Sequence, residues 1–514
     1  YRPVTRPLVS ISSLEVLHDI QVGALPDMIH FTHDCRRLIV ANEGEAGKNE
    51  FGQFEDPEGS VSVITFIPGN QYDIRTADFR KFNNRASEYV SRGVRWIYRG
   101  QGSQKPTTFA HDLEPEYITF SEDERYAYVS LQENNAMARV NIETAQVDEI
   151  YPLGYKRWQT SVLDTCDKDG GVRLNRWPTK GKKILVVVIF RDAQLNYIFY
   201  RPLPICFILF TGVRLNRWPN LYGMCQPDSI VHFTINGEGY VMGACEGDSK
   251  DYDMATFGLE WSEETRGSNL RMSSRVDASF QEALADNTKL GRLKVSNVDG
   301  LSGNGNPEHD AVYTYGGRGF TIWKTTDFTT VYDSGGTMET VESRMIPTIF
   351  NADMKDPKER PSESFDGRSD NKGPESESAD IFKHQNKLYF VIGNERTSCI
   401  YIFSSEMGSV QPVFETMFRP GFTNGTWQEL YDQKNVGDID PEYLSVIQPS
   451  DSPTGEFLIL VSGSVSGTVS LYRISGLDYP VSSSRSPGIT GRFTSKGTPS
   501  TSFTLIYLLY AIIC

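Results

Sequence analysis

Cysteine is scarce in this sequence, and the cysteine patterns that mark a metal site or a dense disulfide framework are absent. The 514 residues include 7 cysteines and no CxxC pair. Dense disulfide frameworks stabilise short secreted chains that cannot bury a sufficient core. Hydrophobic residues make up 39% of this chain, which is enough for a substantial core. The sequence therefore predicts a self-supporting globular fold with room for one or two disulfides.

Short catalytic motifs are also missing. The sequence contains no P-loop, no nucleophile elbow and no HxxxH pattern. Histidines that could serve as metal ligands of a hydrolase are His30, His111, His309 and His384. An isolated histidine in a turn more often has a structural role. The sequence favours a binding protein over an enzyme.

Basic residues are outnumbered by acidic ones, 51 against 66, and the net charge is −15. This charge repels the phosphates of nucleic acids and of anionic membranes, whereas it attracts cations such as calcium. We therefore expect no nucleic-acid partner. We expect contact with a membrane only through an anchor at the C-terminal end.

No uninterrupted apolar run reaches the roughly 20 residues of a transmembrane helix. Residues 476–502 form a linker rich in Ser, Thr, Gly and Pro, and residues 503–514 form a short apolar tail. A small-residue site, a polar spacer and such a tail are the pattern of a GPI-attachment signal, while a mistranslated or truncated segment is the alternative. The sequon Asn424-Gly425-Thr426 predicts glycosylation at Asn424. We expect an extracellular or cell-surface protein, GPI-anchored if the tail is such a signal.

One eight-residue segment, GVRLNRWP, occurs twice without change, at residues 171–178 and 212–219. The stretch between the copies breaks the pattern of the surrounding sequence, and its apolar runs are interrupted by Arg191, Asp192 and Arg201. We interpret residues 171–211 as a local duplication or a gene-model insertion. A genuine inserted hairpin is the alternative.

A longer-range repeat is present in what remains. LEPEYITF at Leu113–Phe120 and IDPEYLSV at Ile439–Val446 belong to six segments in which proline precedes an acid. Most are followed by a turn, an apolar strand that ends near an acid, and an alternating strand. Such units bury their faces only by stacking on one another. The pattern predicts an all-β fold over residues 1–475, a β-propeller of about seven four-stranded blades with long inter-blade loops.

Several motifs in order also resemble one known family. GALPDMIHFTHDCRRLIVANEGE, YTYGGRGFTIW and DIDPEYLSVIQPSDSPTGEFLILVSGSVSGTVSLYRI are similar to the choice-of-anchor I domain. The resemblance implies a β-propeller displayed outside the cell by varied C-terminal anchors. It also implies that the chain is related to biomineralisation-associated surface glycoproteins and to bacterial proteins described as alkaline-phosphatase-like.

The acids that accompany the repeat are the candidate ligands of a cation. Equivalent positions of a radial fold converge on one face, and Ca²⁺ takes six to eight oxygen ligands from carboxylates and carbonyls. The predicted metal ligands are Asp27, Glu43, Glu116, Glu133, Asp228, Glu246, Asp248, Glu375, Glu395 and Glu442. The alternative is that each acid caps a turn or pairs with an arginine.

These observations favour a calcium-binding glycoprotein, secreted or attached to the cell surface, whose partner is a calcium mineral or the extracellular matrix. Calcium (Ca²⁺) is the expected cofactor. A metal-dependent, alkaline-phosphatase-like hydrolase is the alternative function.

Overall fold

The computed structural model describes residues 5–9, 15–49, 51–69, 71–100, 107–168, 213–254, 259–354, 356–474 and 477. The duplicated segment 171–211 and the apolar tail lie outside the described residues, as does all but one residue of the linker. The interpretations given for them therefore stay predictions. Within the described ranges, no helix is long and apolar enough to cross a bilayer.

Strands dominate the described residues, and most belong to five antiparallel sheets in which each strand pairs with the next one of its sheet. The chain first forms a hairpin of β1 (Thr5–Val9) and β2 (Val16–Gln21). The first repeat sheet contains β3 (Pro26–Phe31), β4 (Arg37–Asn42), β7 (Ser60–Ile67) and β8 (Gln71–Asp78), with the short hairpin β5 (Gly47–Lys48) and β6 (Phe54–Glu55) between β4 and β7. The second contains β9 (Pro115–Phe120), β10 (Tyr126–Leu131), β11 (Ala136–Asn141) and β12 (Gln146–Pro152).

The third repeat sheet is interrupted by the longest described loops. It contains β15 (Ile230–Ile235), β16 (Glu238–Cys245), β22 (Gly319–Lys324) and β23 (Thr330–Asp333). A smaller sheet beside it contains β13 (Tyr155–Arg157), β14 (Leu221–Met224) and β21 (Val312–Thr314). Two hairpins lie between β16 and β21: β17 (Asp251–Met254) with β18 (Leu259–Ser262), and β19 (Glu264–Arg266) with β20 (Lys294–Ser296).

The fourth repeat sheet contains β24 (Ser376–His384), β25 (Lys387–Asn394), β26 (Ile400–Glu406) and β27 (Val413–Phe418). The fifth contains β28 (Pro441–Ile447), β29 (Leu458–Gly463) and β30 (Thr468–Arg473). The helices are short: α1 (Ala86–Arg92), α2 (Phe109–Asp112), α3 (Ala278–Ala285), α4 (Thr337–Met345) and α5 (Trp427–Asp432). Short 3₁₀ helices lie at Arg80–Arg85, Gly267–Asn269 and Pro361–Glu363.

The second strand of each repeat sheet is buried along most of its length. In the second, third and fourth sheets, neighbouring repeat sheets cover it from either side. In β10 and β25, β-branched and aromatic residues suit this doubly covered position. Apolar clusters join consecutive sheets: Ile39 packs with Val129 between the first and second, and Phe320 with Phe390 between the third and fourth. The sheets are therefore stacked face to face.

The stack also curves into a ring. First strands contact one another in the order β3, β9, β15, β24 and β28. The charge of Asp27 in the first sheet contributes to raising the pKa of Glu442 in the last sheet, which indicates that the two ends of the row lie near each other. The predicted all-β propeller is thus confirmed. Among the described residues, five sheets carry the repeat, and the smaller sheet and the two hairpins lie in the long connections before and within the third one.

Candidate functional site

A β-bulge lies near the start of the first strand in four of the five repeat sheets. In β9, for example, Pro115 pairs with Leu131 and Ile118 pairs with Val129, so Glu116 and its neighbour face a single partner residue. A bulge bends the strand locally and re-aims its side chains. The acids at this position in the four bulged sheets are Asp27, Glu116, Glu377 and Glu442.

In the fourth sheet, the register identifies Glu377 and not Glu375 as the bulge acid. Ser376 takes the pairing position that Pro26 and Pro441 hold in the first and fifth sheets. Glu375 precedes it with a φ of 53°, in the left-handed region. The residues before the repeat proline in the first, third and fifth sheets share that conformation: Leu25, Gln226 and Asp440.

Asp228 precedes β15 and completes the set in the third sheet. We call Asp27, Glu116, Asp228, Glu377 and Glu442 the axial acids, because they occupy equivalent positions in the five sheets and their charges act on one another. Burial raises the pKa of Asp228 well above its ordinary value, a hydrogen bond with Glu377 opposes this rise, and the charges of Glu246, Asp27 and Glu442 add to it. Burial and repulsion from Glu133, Asp228, Asp27 and Glu43 raise the pKa of Glu116 in the same way.

A second set of acids follows the second strand of four sheets, and we call its members the strand-end acids: Glu43, Glu133, Glu246 and Glu395. The backbone holds them in place. The amide of Glu43 donates to the carbonyl of Leu25 (2.9 Å), and that of Glu395 donates to Glu375 (2.7 Å). In the fifth sheet Ser464 makes the equivalent bond to Asp440 (2.9 Å), so that sheet offers no strand-end carboxylate.

Axial and strand-end acids come together in three groups, in each of which one carboxylate oxygen per residue lies within 4.8 Å of the others. The first carboxylate group is Glu43, Glu116 and Glu133. The second carboxylate group is Asp228, Glu246 and Glu377. The third carboxylate group is Glu246, Glu375 and Glu395.

The first carboxylate group has no basic side chain bonded to it within the described part of the chain. Glu133 is 6% exposed, and its Oε2 and that of Glu116 are buried without a hydrogen-bond partner. Lys250, whose charge acts on Glu43 and Glu133, forms its ion pair with Glu114 instead. Burial, followed by repulsion from Glu114, raises the pKa of Glu43 to about 9. The group is therefore an electrostatically unfavourable assembly that a cation would stabilise.

The third carboxylate group is different, because basic side chains already neutralise it. Glu375 pairs with Arg368 (2.5 Å), Arg396 (3.0 Å) and Lys372 (3.5 Å). Burial by itself would raise the pKa of Glu375, but these three cations outweigh it and hold that pKa below its ordinary value. Arg396 also pairs with Glu395 (2.7 Å). This arrangement matches the alternative in which the acids serve as ion-pair partners.

Comparison with known proteins identifies the family of this ring of sheets. A sequence model of the choice-of-anchor I domain matches residues 6–183 and 211–407, well over half of the chain. The chain belongs to the choice-of-anchor I domain family. The match leaves out residues 184–210.

Two curated relatives of this choice-of-anchor I domain match the chain over long alignments. Gigasin-3a of Magallana gigas is 35% identical over 197 residues, which cover 38% of this chain and 68% of that protein. The mesenchyme-specific cell surface glycoprotein of Strongylocentrotus purpuratus is 27% identical over 413 residues, 77% of this chain. The alignment spans 48% of that second protein, so the chain corresponds to about half of it. The similarity supports an extracellular or cell-surface location.

Solved structures with a similar arrangement include the Dos1 propeller, with 9% identity and a TM-score of 0.31 over 90% of this chain and 73% of that one. A putative 6-phosphogluconolactonase of Bacteroides uniformis matches with 9% identity and a TM-score of 0.28, over 89% and 84% of the two chains. TM-scores this low do not establish a shared fold. The propeller assignment rests on the order and contacts of the strands.

The remaining predicted site residues of this choice-of-anchor I domain lie outside the three groups. Asp27, Asp248 and Glu442 are exposed, and Asp248 lies 3.6 Å from Lys372. Asn424 is exposed in a bend just before α5. Asp27 and Glu442 are nonetheless axial acids that interact electrostatically with the groups.

Glu377 is the one group member that sequence reasoning missed. In every repeat sheet the axial acid stands two residues before an apolar residue of the first strand: Ile29, Ile118, Ile230, Ala379 and Leu444. Counting back from this residue identifies Glu377, whereas counting forward from Pro374 identifies Glu375. The apolar residue was therefore the better signal.

Proposed function

We propose that this choice-of-anchor I domain binds calcium through the first carboxylate group, as part of a secreted or surface-attached glycoprotein. The observation that carries the proposal is the convergence of three carboxylate oxygens within 4.8 Å with no basic partner in the described part of the chain. Two sheets supply them: Glu43 follows β4, Glu116 lies in the bulge of β9, and Glu133 follows β10.

The ligand chemistry favours calcium over softer metals. The group offers only oxygen, and Ca²⁺ binds six to eight oxygens at about 2.3–2.6 Å. Two oxygens on opposite sides of such an ion stand about 4.8 Å apart, so one ion can contact all three side chains. Water and backbone carbonyls would complete the coordination. The ion would also offset the repulsion that raises the pKa of each carboxyl group.

The wider role we propose is binding of a calcium mineral or of the extracellular matrix. Support comes from the exposed acids Asp27, Asp248 and Glu442 near the groups and from the net charge of −15. Carboxylates that bind calcium raise its local concentration at a surface. Attachment by a GPI anchor is part of the proposal and rests on the sequence pattern of residues 476–514.

Thermal unfolding of the full chain with CaCl₂ or with EDTA tests the calcium site. We expect calcium to raise the melting temperature of the parent protein, since a ligand that binds only the folded state stabilises it. Glu116→Gln should abolish this rise, whereas Glu342→Gln, a buried carboxyl bonded to Thr397 and Tyr401, should preserve it. An equal calcium response in the parent and Glu116→Gln would refute the assignment. If the protein hydrolyses p-nitrophenyl phosphate in a calcium-dependent manner, and Glu116→Gln abolishes this activity, the site would belong to a hydrolase and not to a calcium-binding protein.

A further inference from the structure

The second carboxylate group has the same construction as the first, one pair of sheets further round the ring. The first group unites acids of the first and second sheets, whereas the second unites acids of the third and fourth. Asp228 and Glu377 are axial acids, and Glu246 is a strand-end acid. Their three carboxylate oxygens lie within 4.8 Å of one another.

Glu377 gives this group an unsatisfied buried ligand atom. The residue is 6% exposed, and its Oε2 has no hydrogen-bond partner. A buried carboxylate oxygen without a partner is costly, because it has lost water and gained nothing in return. The bulge of β24 places Glu377 where the other sheets place their axial acids, so the position is a regular feature of the fold.

Glu246 distinguishes the second group from the first. Its Oε1 lies 2.9 Å from the ammonium group of Lys372, and its Oε2 accepts a hydrogen bond from the amide of Gln132 (2.8 Å). Lys372 also lies 3.5 Å from Glu375 and 3.6 Å from Asp248. Lys372 therefore already neutralises Glu246, one of the three acids of the group. Among the described residues, Lys372 forms no ion pair with Asp228 or Glu377.

We propose that Asp228, Glu246 and Glu377 form a second divalent-cation site, which fills in competition with the ammonium group of Lys372. The inference rests on the proposed function in that both sites take the same class of ion. It adds a second ion, a ligand that the sequence did not predict, and a lysine that weakens the second site relative to the first. Calcium is the probe, because the ligand atoms are again all oxygen.

The lysine makes the inference testable in two directions. Glu377→Gln should remove the weaker site and keep the tighter one. Lys372→Met should strengthen the weaker site by about fivefold or more, since it removes one positive charge next to the bound ion. A purely structural role for the three acids predicts no gain of calcium affinity when Lys372 is lost.

The experiment is isothermal titration of the full chain with CaCl₂. We expect two binding events in the parent protein, with the tight event lost in Glu116→Gln and the weak event lost in Glu377→Gln. Glu342→Gln is the control and should retain both. Near-ultraviolet circular dichroism establishes that each variant is folded, and Lys372→Met provides an independent readout if Glu377→Gln does not fold.

The outcomes separate the two proposals. A single event that disappears in Glu116→Gln, and that neither Glu377→Gln nor Lys372→Met alters, would overturn the second site and leave the first intact. Absence of any calcium binding in the parent protein would overturn both. Two events, of which the weaker tightens in Lys372→Met, would establish the second site.

Discussion

Replacement of Glu43 by glutamine should stabilise the calcium-free protein while it removes the stabilisation that calcium provides. Burial, then Glu114, Glu45 and Asp27, raise the pKa of Glu43 from 4.5 to about 9. The folded protein thus keeps this proton at pH values where the unfolded chain has lost it. Stability from this residue therefore falls as the pH rises from about 4.5 towards about 9.

The size of the effect follows from the same shift. At pH 7 the unfolded carboxyl group lies about 2.5 pH units above its pKa, which corresponds to about 3 kcal/mol of lost stability. Glu43→Gln stays neutral and avoids this loss. For a folded unit of about 400 residues, such a gain raises the melting temperature by about 3 to 4 °C. At pH 4 both proteins are uncharged at this position, and the difference should vanish.

Calcium should stabilise the parent protein more than the Glu43→Gln variant. Extracellular calcium sites bind with dissociation constants of about 0.1 to 1 mM, so 10 mM CaCl₂ stabilises the parent protein by about 1.4 to 2.7 kcal/mol. The variant lacks one of three ligands and should gain little. The assay is thermal unfolding of both proteins at pH 4 and pH 7, in EDTA and in CaCl₂. A variant that is less stable in EDTA, or that keeps the full calcium response, would refute the reasoning.

Three further predictions concern other parts of the molecule. Burial raises the pKa of Glu342 to about 7, so its contribution to stability falls as the pH rises from about 4.5 to about 7. Glu342→Gln should therefore stabilise the protein by up to about 3 kcal/mol at pH 8 and not at pH 4, and equal effects in urea unfolding at the two pH values would contradict this. Cys225 and Cys245 form a disulfide that closes a loop of 20 residues. Their joint replacement by serine should cost about 3 kcal/mol in the same assay, and an unchanged free energy of unfolding would show that the bond adds nothing. Asn424→Gln should remove one glycan from protein secreted by eukaryotic cells, seen as a faster band on a gel; identical bands before and after the change would exclude glycosylation there.

Much of the fold could be predicted from the sequence because strand-initial prolines and apolar strands are local signals. Pro26, Pro115 and Pro441 each begin a first strand, as the repeat predicts. The number of sheets could not be predicted, since loop length and sheet count both lengthen the repeat. Another of the six repeat prolines, Pro307 in the segment NPEHDAVYTY, begins no strand and lies in a loop where the neighbouring Glu308 pairs with Arg271 (3.0 Å).

The candidate site was predictable as a set of acids but not as a set of contacts. The repeat located Glu43, Glu116 and Glu133, whose convergence then depended on how neighbouring sheets pack. Sequence offered Arg368 as a candidate partner but could not reveal that Arg368 and Arg396 both neutralise Glu375, because side-chain pairing depends on the three-dimensional path of the loops. Position in a repeat therefore indicates where a side chain lies, while its charge environment must come from the structure.

Diffraction from crystals grown with CaCl₂, at a wavelength where calcium scatters anomalously, tests the central claim most directly. We predict an anomalous peak about 2.4 Å from one carboxylate oxygen of each of Glu43, Glu116 and Glu133. A map without a peak at this position, in which the three side chains are bound to water or to a basic residue, would contradict the account.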